Sequence, residues 1–354
     1  MTRIYSNLKF LGFTDRLQAL REGTLVAPVH IRIKPINRCN HHCWYCAYRA
    51  DTLQLGEDMD LDSVIPEAKM FEIVEDVVAM GVKAVTFSGG GEPLLYKPLP
   101  DVIDRLAAGG VRVGCLSNGA NLRGRMADAF ARHGTWMRIS IDAWDDESYS
   151  RGRGAPEGGF TRLLDTMRAF QERSSPCVLG VSLIVGKENH AHIHEVCARL
   201  KDVGVNHVKV AGVVVSNSGA ENNAYHRPIL AAAGEQIARA QALNDARFQV
   251  VNHYHELSER FDKDYTSCPF LQFLTVIGAD CNVYTCQDKA YNADGLLGSI
   301  ADRRFKDFWL SDGNRRRVQA HDPSRLCQHN CVQHAKNLIL HDLLSVDADH
   351  AVFV

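Results

Sequence analysis

The sequence predicts an α/β chain of repeated βα units, followed by a C-terminal part of different character. Short β-branched runs alternate with longer amphipathic stretches from about residue 30 to residue 240. Nearly every run ends in Gly, Ser, Asn or an acidic residue, which places polar groups at the carboxyl ends of parallel strands. After about residue 245 this alternation stops and cysteines become frequent. The pattern therefore predicts two unequal parts.

Each predicted element has a local signal. The six strand candidates are HIRIKPI, AVTFSGG, RVGCLSNG, WMRISIDA, VLGVSLIVG and HVKVAGVVV. The segment DSVIPEAKMFEIVEDVVAMG predicts a helix, because Ile65, Met70 and Val74 recur on one face and Gly81 is a stop signal. In the C-terminal part, FLTVIGADCNVYTC predicts a two-stranded hairpin with GADCN as its turn.

Composition restricts the partners and the compartment. The chain has 354 residues, with 40 Lys and Arg against 42 Asp and Glu, so no basic surface for nucleic acid or an anionic membrane is expected. No apolar run reaches the roughly 20 residues of a membrane span, and the first residues lack the apolar core of a signal peptide. We therefore expect a cytoplasmic protein. In that reducing compartment its 11 cysteines favour metal ligands or catalytic thiols over disulfides.

The loop INRCNHHCWYCAYRA places Cys39, Cys43 and Cys46 within eight residues. Thiolates are the usual ligands of iron–sulfur clusters, and a [4Fe–4S] cube normally takes four of them. Three thiolates leave one iron open, which can bind a cofactor through its amino and carboxylate groups. The alternative is a zinc loop, but structural zinc takes four ligands, and His41 and His42 adjoin Cys43 too closely to complete a relaxed tetrahedron.

The spacing Cys39-x3-Cys43-x2-Cys46, with Tyr45 before the last cysteine, resembles the signature of the radical S-adenosylmethionine (SAM) enzymes. The resemblance implies that the cluster reduces SAM to methionine and a 5′-deoxyadenosyl radical, which abstracts hydrogen from a substrate. It also implies an external electron donor of the flavodoxin or ferredoxin type.

A second motif follows on the next strand candidate. FSGGGEP resembles the Gly-Gly-Glu motif of the same family, carried here by Gly90, Gly91 and Glu92. In the family this edge holds the methionine amino group, and glycines allow the close approach that such contacts require. The alternative is a tight βα turn, which the sequence GGGEP favours by itself.

The resemblance assigns further residues to SAM. By family analogy these are Ser117, Asn118, Ser140, Asp142, Arg151 and Ile184, with Asn189 beside the last. Asn and Asp also cap helices and form turns, so a local structural role stays open for each of them. Arg153 competes with Arg151 for the SAM carboxylate, and a solvated surface arginine is the alternative for both.

A second cysteine set lies in the C-terminal part, at Cys268, Cys286, Cys327 and Cys331. The set resembles the twitch domain, a shortened relative of the SPASM domain that binds one auxiliary [4Fe–4S] cluster. Zinc is the alternative for the whole set, with His329 and His334 as further candidate ligands.

One cysteine departs from the family pattern. Cys281 stands in the hairpin turn where the family usually has glycine. It either replaces one of the four auxiliary ligands, or donates hydrogen as a thiol, or is a small turn residue. Cys115 lies two residues before Ser117 on one strand candidate, so both residues lie on the same face of that strand. That face is a candidate for the barrel interior.

The resemblance implies a partial, TIM-like barrel of six βα units with a C-terminal α+β auxiliary domain. We expect residues 1–29 to form an N-terminal cap, residues 30–245 the radical SAM core and residues 246–354 the twitch or SPASM-like domain. SAM and the first cluster would occupy the carboxyl-end rim of the strands, with the substrate between that rim and the auxiliary cluster.

Three functions are compatible with these motifs. The first is an oxidoreductase acting on a sugar, aminocyclitol or sugar-nucleotide, with the auxiliary cluster as electron acceptor and Asp288 or Lys289 as base. An epimerase of such a substrate, with Cys281 or Cys115 as hydrogen donor, is its close alternative. The second is a maturase of a ribosomal peptide, and the third is a non-catalytic metal-binding protein. The third does not explain an open three-cysteine site beside GGGEP on a βα scaffold.

Overall fold

The computed structural model describes residues 4–53, 55–255, 260–347 and 349–353. Its strands are β1 (His30–Ile33), β2 (Ala84–Phe87), β3 (Arg112–Ser117), β4 (Gly134–Ser140), β5 (Val178–Val185), β6 (His207–Gly212), β7 (Gln249–His253), β8 (Leu274–Ile277), β9 (Asn282–Tyr284) and β10 (Leu296–Ser299). They form one sheet in the order β10-β9-β8-β1-β2-β3-β4-β5-β6-β7.

The helices connect these strands or follow them. They are α1 (Thr14–Arg21), α2 (Glu67–Ala79), α3 (Leu99–Ala108), α4 (Gly124–His133), α5 (Asp146–Arg153), α6 (Gly159–Gln171), α7 (Ile193–Val203), α8 (Gly219–His226), α9 (Leu230–Gln241), α10 (Phe305–Trp309), α11 (Asp312–Ala320), α12 (Pro323–Leu326) and α13 (His334–Ser345).

Strands β1 to β7 run parallel, and their outer face packs against the helices. Alternate residues such as Ile31, Val85 and Val113 are buried in the main core together with Met70 and Val74 of α2. This face supplies the apolar periodicity that the sequence shows. The opposite face carries polar residues, and it forms the interior of the barrel.

The sheet is curled rather than flat. Arg32 of β1 interacts electrostatically with Arg138 of β4 and with Lys209 of β6. Strands β1 and β6 are five positions apart in the sheet order, which would separate them by about 24 Å in a flat sheet. Since charges that far apart are screened in water, their interaction indicates that the strands converge across an interior.

The C-terminal part continues the same sheet. β8 joins β1 in parallel register, and β9 and β10 add two antiparallel strands. At the other side, Phe10 of the N-terminal segment packs with Phe270, Phe273 and Leu340 in a second core. The N-terminal cap therefore packs against the C-terminal part.

The predicted fold class is confirmed, with two further parallel strands. Besides the six predicted strands, the parallel set contains β7 (Gln249–His253), paired with β6, and β8, paired with β1. Strand β7 lies beyond residue 245, within the segment that we assigned to the auxiliary domain. The sequence QVVNH was too short and too polar to distinguish a barrel strand from a linker. In the described part of the chain, no helix is long and apolar enough to cross a membrane.

Candidate active site

The three-cysteine loop follows β1, and the glycine turn after β2 packs directly against it. The Gly91 N–H donates to the Ile36 carbonyl at 3.2 Å, and the Glu92 N–H donates to the Arg38 carbonyl at 2.9 Å. A Cβ on Gly91 would lie 2.0 Å from the Arg38 oxygen, and one on Gly90 would lie 2.3 Å from the Asn37 side-chain oxygen. Both positions therefore require glycine. The contact between the glycine turn and the start of the cysteine loop positions the backbone that leads into the half-buried Cys39.

Glu92 is buried, and it connects the ends of β2 and β3. Its carboxylate accepts hydrogen bonds from the Ser117 hydroxyl at 2.7 Å, from the Asn118 N–H at 2.7 Å and from the Leu94 N–H at 3.0 Å. Burial raises the pKa of Glu92, and the three donors oppose that effect. The Asn118 amide in turn donates to Asn40, beside the first cysteine, at 2.7 Å.

Asp142 connects four segments at the end of β4. Its φ of 51° lies in the left-handed region, where a non-glycine residue is uncommon. The carboxylate accepts from the Ile184 N–H at 2.6 Å, from the Tyr45 hydroxyl at 2.7 Å and from the Arg153 guanidinium at 2.6 Å. Burial raises the pKa of Asp142, while the charge of Arg153 acts in the opposite direction. Tyr45 of the cysteine loop is thereby fixed to the barrel.

The structure places Arg153 at the site and leaves Arg151 on the surface. The Arg151 side chain is half-exposed and pairs with Glu147 one helical turn earlier, at 3.1 Å. Arg153 is only 5% exposed, and it donates to Asp142 and to His41. Residues two apart on a helix point in nearly opposite directions, so these arginines cannot share one role. The Glu147–Arg151 spacing of four was the sequence signal for a solvated pair.

A cavity opens next to Tyr45 and Asp142. Trp44, Ile184 and Val213 contribute apolar walls to it. An aromatic and aliphatic pocket that ends at a carboxylate suits a nucleoside such as the adenosine of SAM. Ser140 is not among the described residues that line this cavity. It lies opposite Ser182 of β5 in the strand register, on the interior face of the sheet.

The second cysteine set converges from three separate segments onto one cavity. Cys268 precedes a short 3-10 turn, Cys286 follows β9, and Cys327 and Cys331 follow α12. Cys268 accepts a hydrogen bond from the Asn337 amide at 3.4 Å, and Cys327 lies 3.5 Å from the His321 ring.

The chemistry of this second cavity fits a metal centre. Burial, with a smaller contribution from neighbouring thiols, raises the pKa of Cys268, Cys327 and Cys331 to about 12. Four crowded thiols in a largely apolar cavity are stabilised as thiolates by bound metal. A full set of four is what a closed cluster takes, so the residues present fit an auxiliary [4Fe–4S] cluster.

His329 is a further polar group in this cavity. The residue is 4% exposed, and neither of its ring nitrogens has a hydrogen-bond partner among the described residues. One ring nitrogen, a carboxylate oxygen of Asp288 and the sulfur of Cys331 lie within 4.8 Å of one another. The sequence suggested His329 only as a zinc ligand and gave no signal for its contact with Asp288.

Two candidate thiols lie away from the cysteine cavities. Cys115 is fully buried in the apolar core between Phe87 and Met137, so its face of β3 is the outer one. Cys281 has a φ of 58° in the hairpin turn and is not among the described residues that line the auxiliary cavity. The structure therefore places neither thiol where it can donate hydrogen at the rim. Lys289 is buried and pairs with Asp294 at 3.3 Å, and its charge also acts on Cys327 in the auxiliary cavity.

A hydrogen-bonded chain joins the two cysteine regions. The Lys34 amine at the end of β1 donates to the Gly89 carbonyl at 2.7 Å and to the Tyr48 hydroxyl at 2.5 Å. Tyr48, which follows the cysteine loop, donates to the Gln287 carbonyl at 3.2 Å. Gln287 adjoins both Cys286 and Asp288, so the rim of the barrel and the auxiliary segment are in direct contact.

Comparison with known proteins supports this arrangement. The sequence profile of the Radical SAM superfamily matches residues 33–211. A GTP 3′,8-cyclase of Synechococcus elongatus is 35% identical over 118 residues, which cover 33% of this chain and 35% of that protein. An S-adenosylmethionine-dependent nucleotide dehydratase of Lacinutrix mariniflava is 31% identical over 110 residues, covering 31% of this chain and 22% of that protein. The chain thus spans about a third of the length of the curated relatives that it matches first.

Two solved structures share the fold over most of the chain. SuiB of Streptococcus suis bound to S-adenosylmethionine has a TM-score of 0.63 at 15% identity, covering 96% of this chain and 81% of that one. The structure described as anSMEcpe with bound AdoMet has a TM-score of 0.57 at 14% identity, covering 90% and 99%. At this level of identity the likeness establishes the fold alone.

Proposed function

The chain belongs to the radical SAM superfamily, whose members bind SAM and a [4Fe–4S] cluster, and we propose that it dehydrogenates a small polar substrate. The proposed substrate is a sugar, an aminocyclitol or a sugar-nucleotide. Cys39, Cys43 and Cys46 would hold the cluster that binds SAM. Cys268, Cys286, Cys327 and Cys331 would hold an auxiliary [4Fe–4S] cluster.

The observation that carries the proposal is the position of the auxiliary cavity. Its four cysteines converge beside the chain Lys34–Tyr48–Gln287, which contacts the end of β1 and the segment after the cysteine loop. Burial lowers the pKa of the Lys34 amine, and the charges of Cys46 and Cys286 act in the opposite direction. A centre held there would face a substrate that lies at the rim, which is the position an electron acceptor needs.

The reaction requires the removal of one hydrogen atom, one proton and one electron. When bound, SAM and its cluster supply the abstracting radical, and the auxiliary cluster supplies an electron acceptor. A carbon bearing a hydroxyl that loses a hydrogen atom, a proton and then an electron becomes a ketone. The walls provided by the barrel keep water away from the reacting carbon.

Asp288 is the better placed of the two candidate bases. Its carboxylate interacts with Arg32 and Lys34 on the interior face of the barrel and with Cys286 and Cys331 in the auxiliary cavity. Burial raises the pKa of Asp288, which makes the carboxylate a stronger proton acceptor. The Lys289 amine is paired with the Asp294 carboxylate at 3.3 Å.

Deuterium labelling tests the reaction type. Anaerobically reconstituted protein is first screened for the compound that raises 5′-deoxyadenosine release above the substrate-free background. That compound, deuterated at the reacting carbon, should transfer one deuterium into 5′-deoxyadenosine and give a product two hydrogens lighter than unlabelled substrate. An isomer of unchanged composition, with solvent hydrogen at that carbon, would instead establish epimerisation and overturn the proposal.

A further inference from the structure

The interior of the barrel contains basic side chains that form no salt bridge with the described acidic residues. Arg32 of β1, Arg138 of β4 and Lys209 of β6 all lie on the face opposite the apolar core, as the strand register requires. All three are partly buried. In the described part of the chain, none of them forms a salt bridge, although 18 other ion pairs are found there.

Contacts with Tyr5 place two of these cations together. The Arg138 guanidinium donates to the Tyr5 hydroxyl at 3.2 Å, and the Lys209 amine lies 5.9 Å from the centre of the Tyr5 ring. The same hydroxyl lies 2.9 Å from the His207 ring at the start of β6. Because His207 begins its strand, Tyr5 closes the amino-terminal end of the barrel, and the basic side chains lie above it.

The remaining members of the group come from β1 and from the C-terminal helix α13. The Nε atoms of Arg32 and Arg138 have neither solvent contact nor a hydrogen-bond partner in the described residues. Lys336 of α13 lies near enough to Arg32 for the two charges to repel each other, and its amine donates to the Gln333 side chain at 2.6 Å. Asp288 is a carboxylate that faces these cations. Counted over the described residues, positive charge therefore exceeds negative charge in this interior.

An excess of positive charge in a partly buried interior is costly without an anion. Burial and mutual repulsion lower the pKa of Lys209 and Lys336 to about 8. A single carboxylate ligand can be satisfied by one arginine, whereas two arginines and two lysines match the charge and the several acceptor oxygens of a phosphate or diphosphate.

We propose that Arg32, Arg138, Lys209 and Lys336 form a phosphate-binding site inside the barrel, so that the substrate is a phosphorylated compound. This inference rests on the proposed function, and it narrows the substrate class to sugar phosphates and sugar-nucleotides. Arg32 lies two residues before Lys34, deeper in the barrel than the rim. A phosphate held there directs the remainder of the substrate toward the cysteine loop.

Calorimetric titration with inorganic pyrophosphate tests the site in the reconstituted protein. Wild type should bind the probe, and Arg138→Gln and Lys209→Gln should each weaken binding tenfold or more. Arg138→Lys should restore part of the affinity. Arg112→Gln is the matched control, because it removes one charge from an exposed position at the start of β3, and it should bind as wild type does.

Thermal unfolding separates a binding role from a structural one. Pyrophosphate should raise the unfolding temperature of wild type and of Arg112→Gln, and the increase should be much smaller for Arg138→Gln. Without the probe, Arg138→Gln should unfold at the same temperature as wild type or higher, because an unpaired buried charge is gone. Equal binding by all variants, or no binding by wild type, would overturn the inference.

Competition distinguishes the source of the phosphate and keeps the two proposals apart. Glucose 1-phosphate and AMP are tested as competitors of pyrophosphate, with glucose and adenosine as their unphosphorylated counterparts. Competition by the phosphorylated member of either pair supports the site and identifies the source; competition by the unphosphorylated members alone contradicts it. The deuterium-labelling test of the proposed function is run separately. An epimerised product would refute the proposed dehydrogenation even where pyrophosphate binds.

Discussion

The two cysteine sets differ in how the chain brings them together. Cys39, Cys43 and Cys46 lie on one loop of eight residues and are all half-buried. The second set comes from three segments separated by up to 63 positions, from Cys268 to Cys331, and it lines one cavity. The first set depends on a local turn and on one glycine contact, whereas the second depends on the packing of β9, α12 and α13. We therefore expect mutations in the two sets to have different consequences.

Loss of the first set should have the largest effect on activity. Replacing Cys39, Cys43 and Cys46 with alanine should abolish SAM cleavage, because no cluster remains to reduce SAM, while the auxiliary iron stays. Iron and sulfide analysis should give about four irons per chain, against about eight in wild type. Surviving cleavage would refute the assignment of the SAM site, and loss of all iron would show that the two sites are not independent.

Loss of one auxiliary ligand should stop product formation and leave the first site loaded. Cys286→Ala should remove the auxiliary cluster, because Cys286 is close to all three other cysteines of its set. SAM cleavage without substrate should continue, since the first cluster remains. Product assays and iron analysis together check this. Full product formation with about four irons would show that the auxiliary centre is not the electron acceptor.

The two arginines near the first site should respond very differently to the same substitution. Arg153→Gln leaves Asp142 buried without its partner and should cost about 3–5 kcal/mol of unfolding free energy, with weaker SAM binding. Arg151→Gln removes an exposed pair and should cost less than about 1 kcal/mol.

Denaturant unfolding and SAM titration measure both effects for each variant. The double variant Arg153→Gln, Asp142→Asn should recover part of the lost stability, because it also removes the uncompensated carboxylate. Equal losses for the two single arginine variants would contradict the placement of Arg153.

The smallest effect is expected at Cys281. Its φ of 58° favours glycine, so Cys281→Gly relieves backbone strain and loses only a small buried side chain. The unfolding free energy should change by less than about 1 kcal/mol, and iron content should match wild type. Loss of about four irons would make Cys281 an auxiliary ligand. Cys281→Ala, which keeps a Cβ, separates the backbone effect from the loss of the thiol.

Some features of the site could be predicted because they depend on neighbours in the chain. The spacing of Cys39, Cys43 and Cys46 and the glycines of FSGGGEP act within one turn each, so their sequence contains the necessary information. The hairpin of β8 and β9 is equally local. The fold class followed from the alternation of strands and helices, which is also a short-range pattern.

Tertiary structure decided which face of each element points inward. Sequence placed Cys115 and Ser117 on one face of β3, yet only helix packing shows that this face is the outer one. Likewise, the spacing from Glu147 indicates only that Arg151 can form a solvated pair, whereas the docking of α5 on the cysteine loop is what buries Arg153.

The basic interior of the barrel depends both on the local sequence pattern and on the tertiary structure. A parallel strand covered on both sides usually reads as a continuous apolar run, but HIRIK, RISID and HVKVA alternate apolar and polar residues. The sequence by itself thus determined that each of these strands has a polar face. That Arg32, Arg138 and Lys209 meet was decided by the curvature of the sheet, because three strands that are not neighbours bring their side chains together only when the sheet curls around an interior.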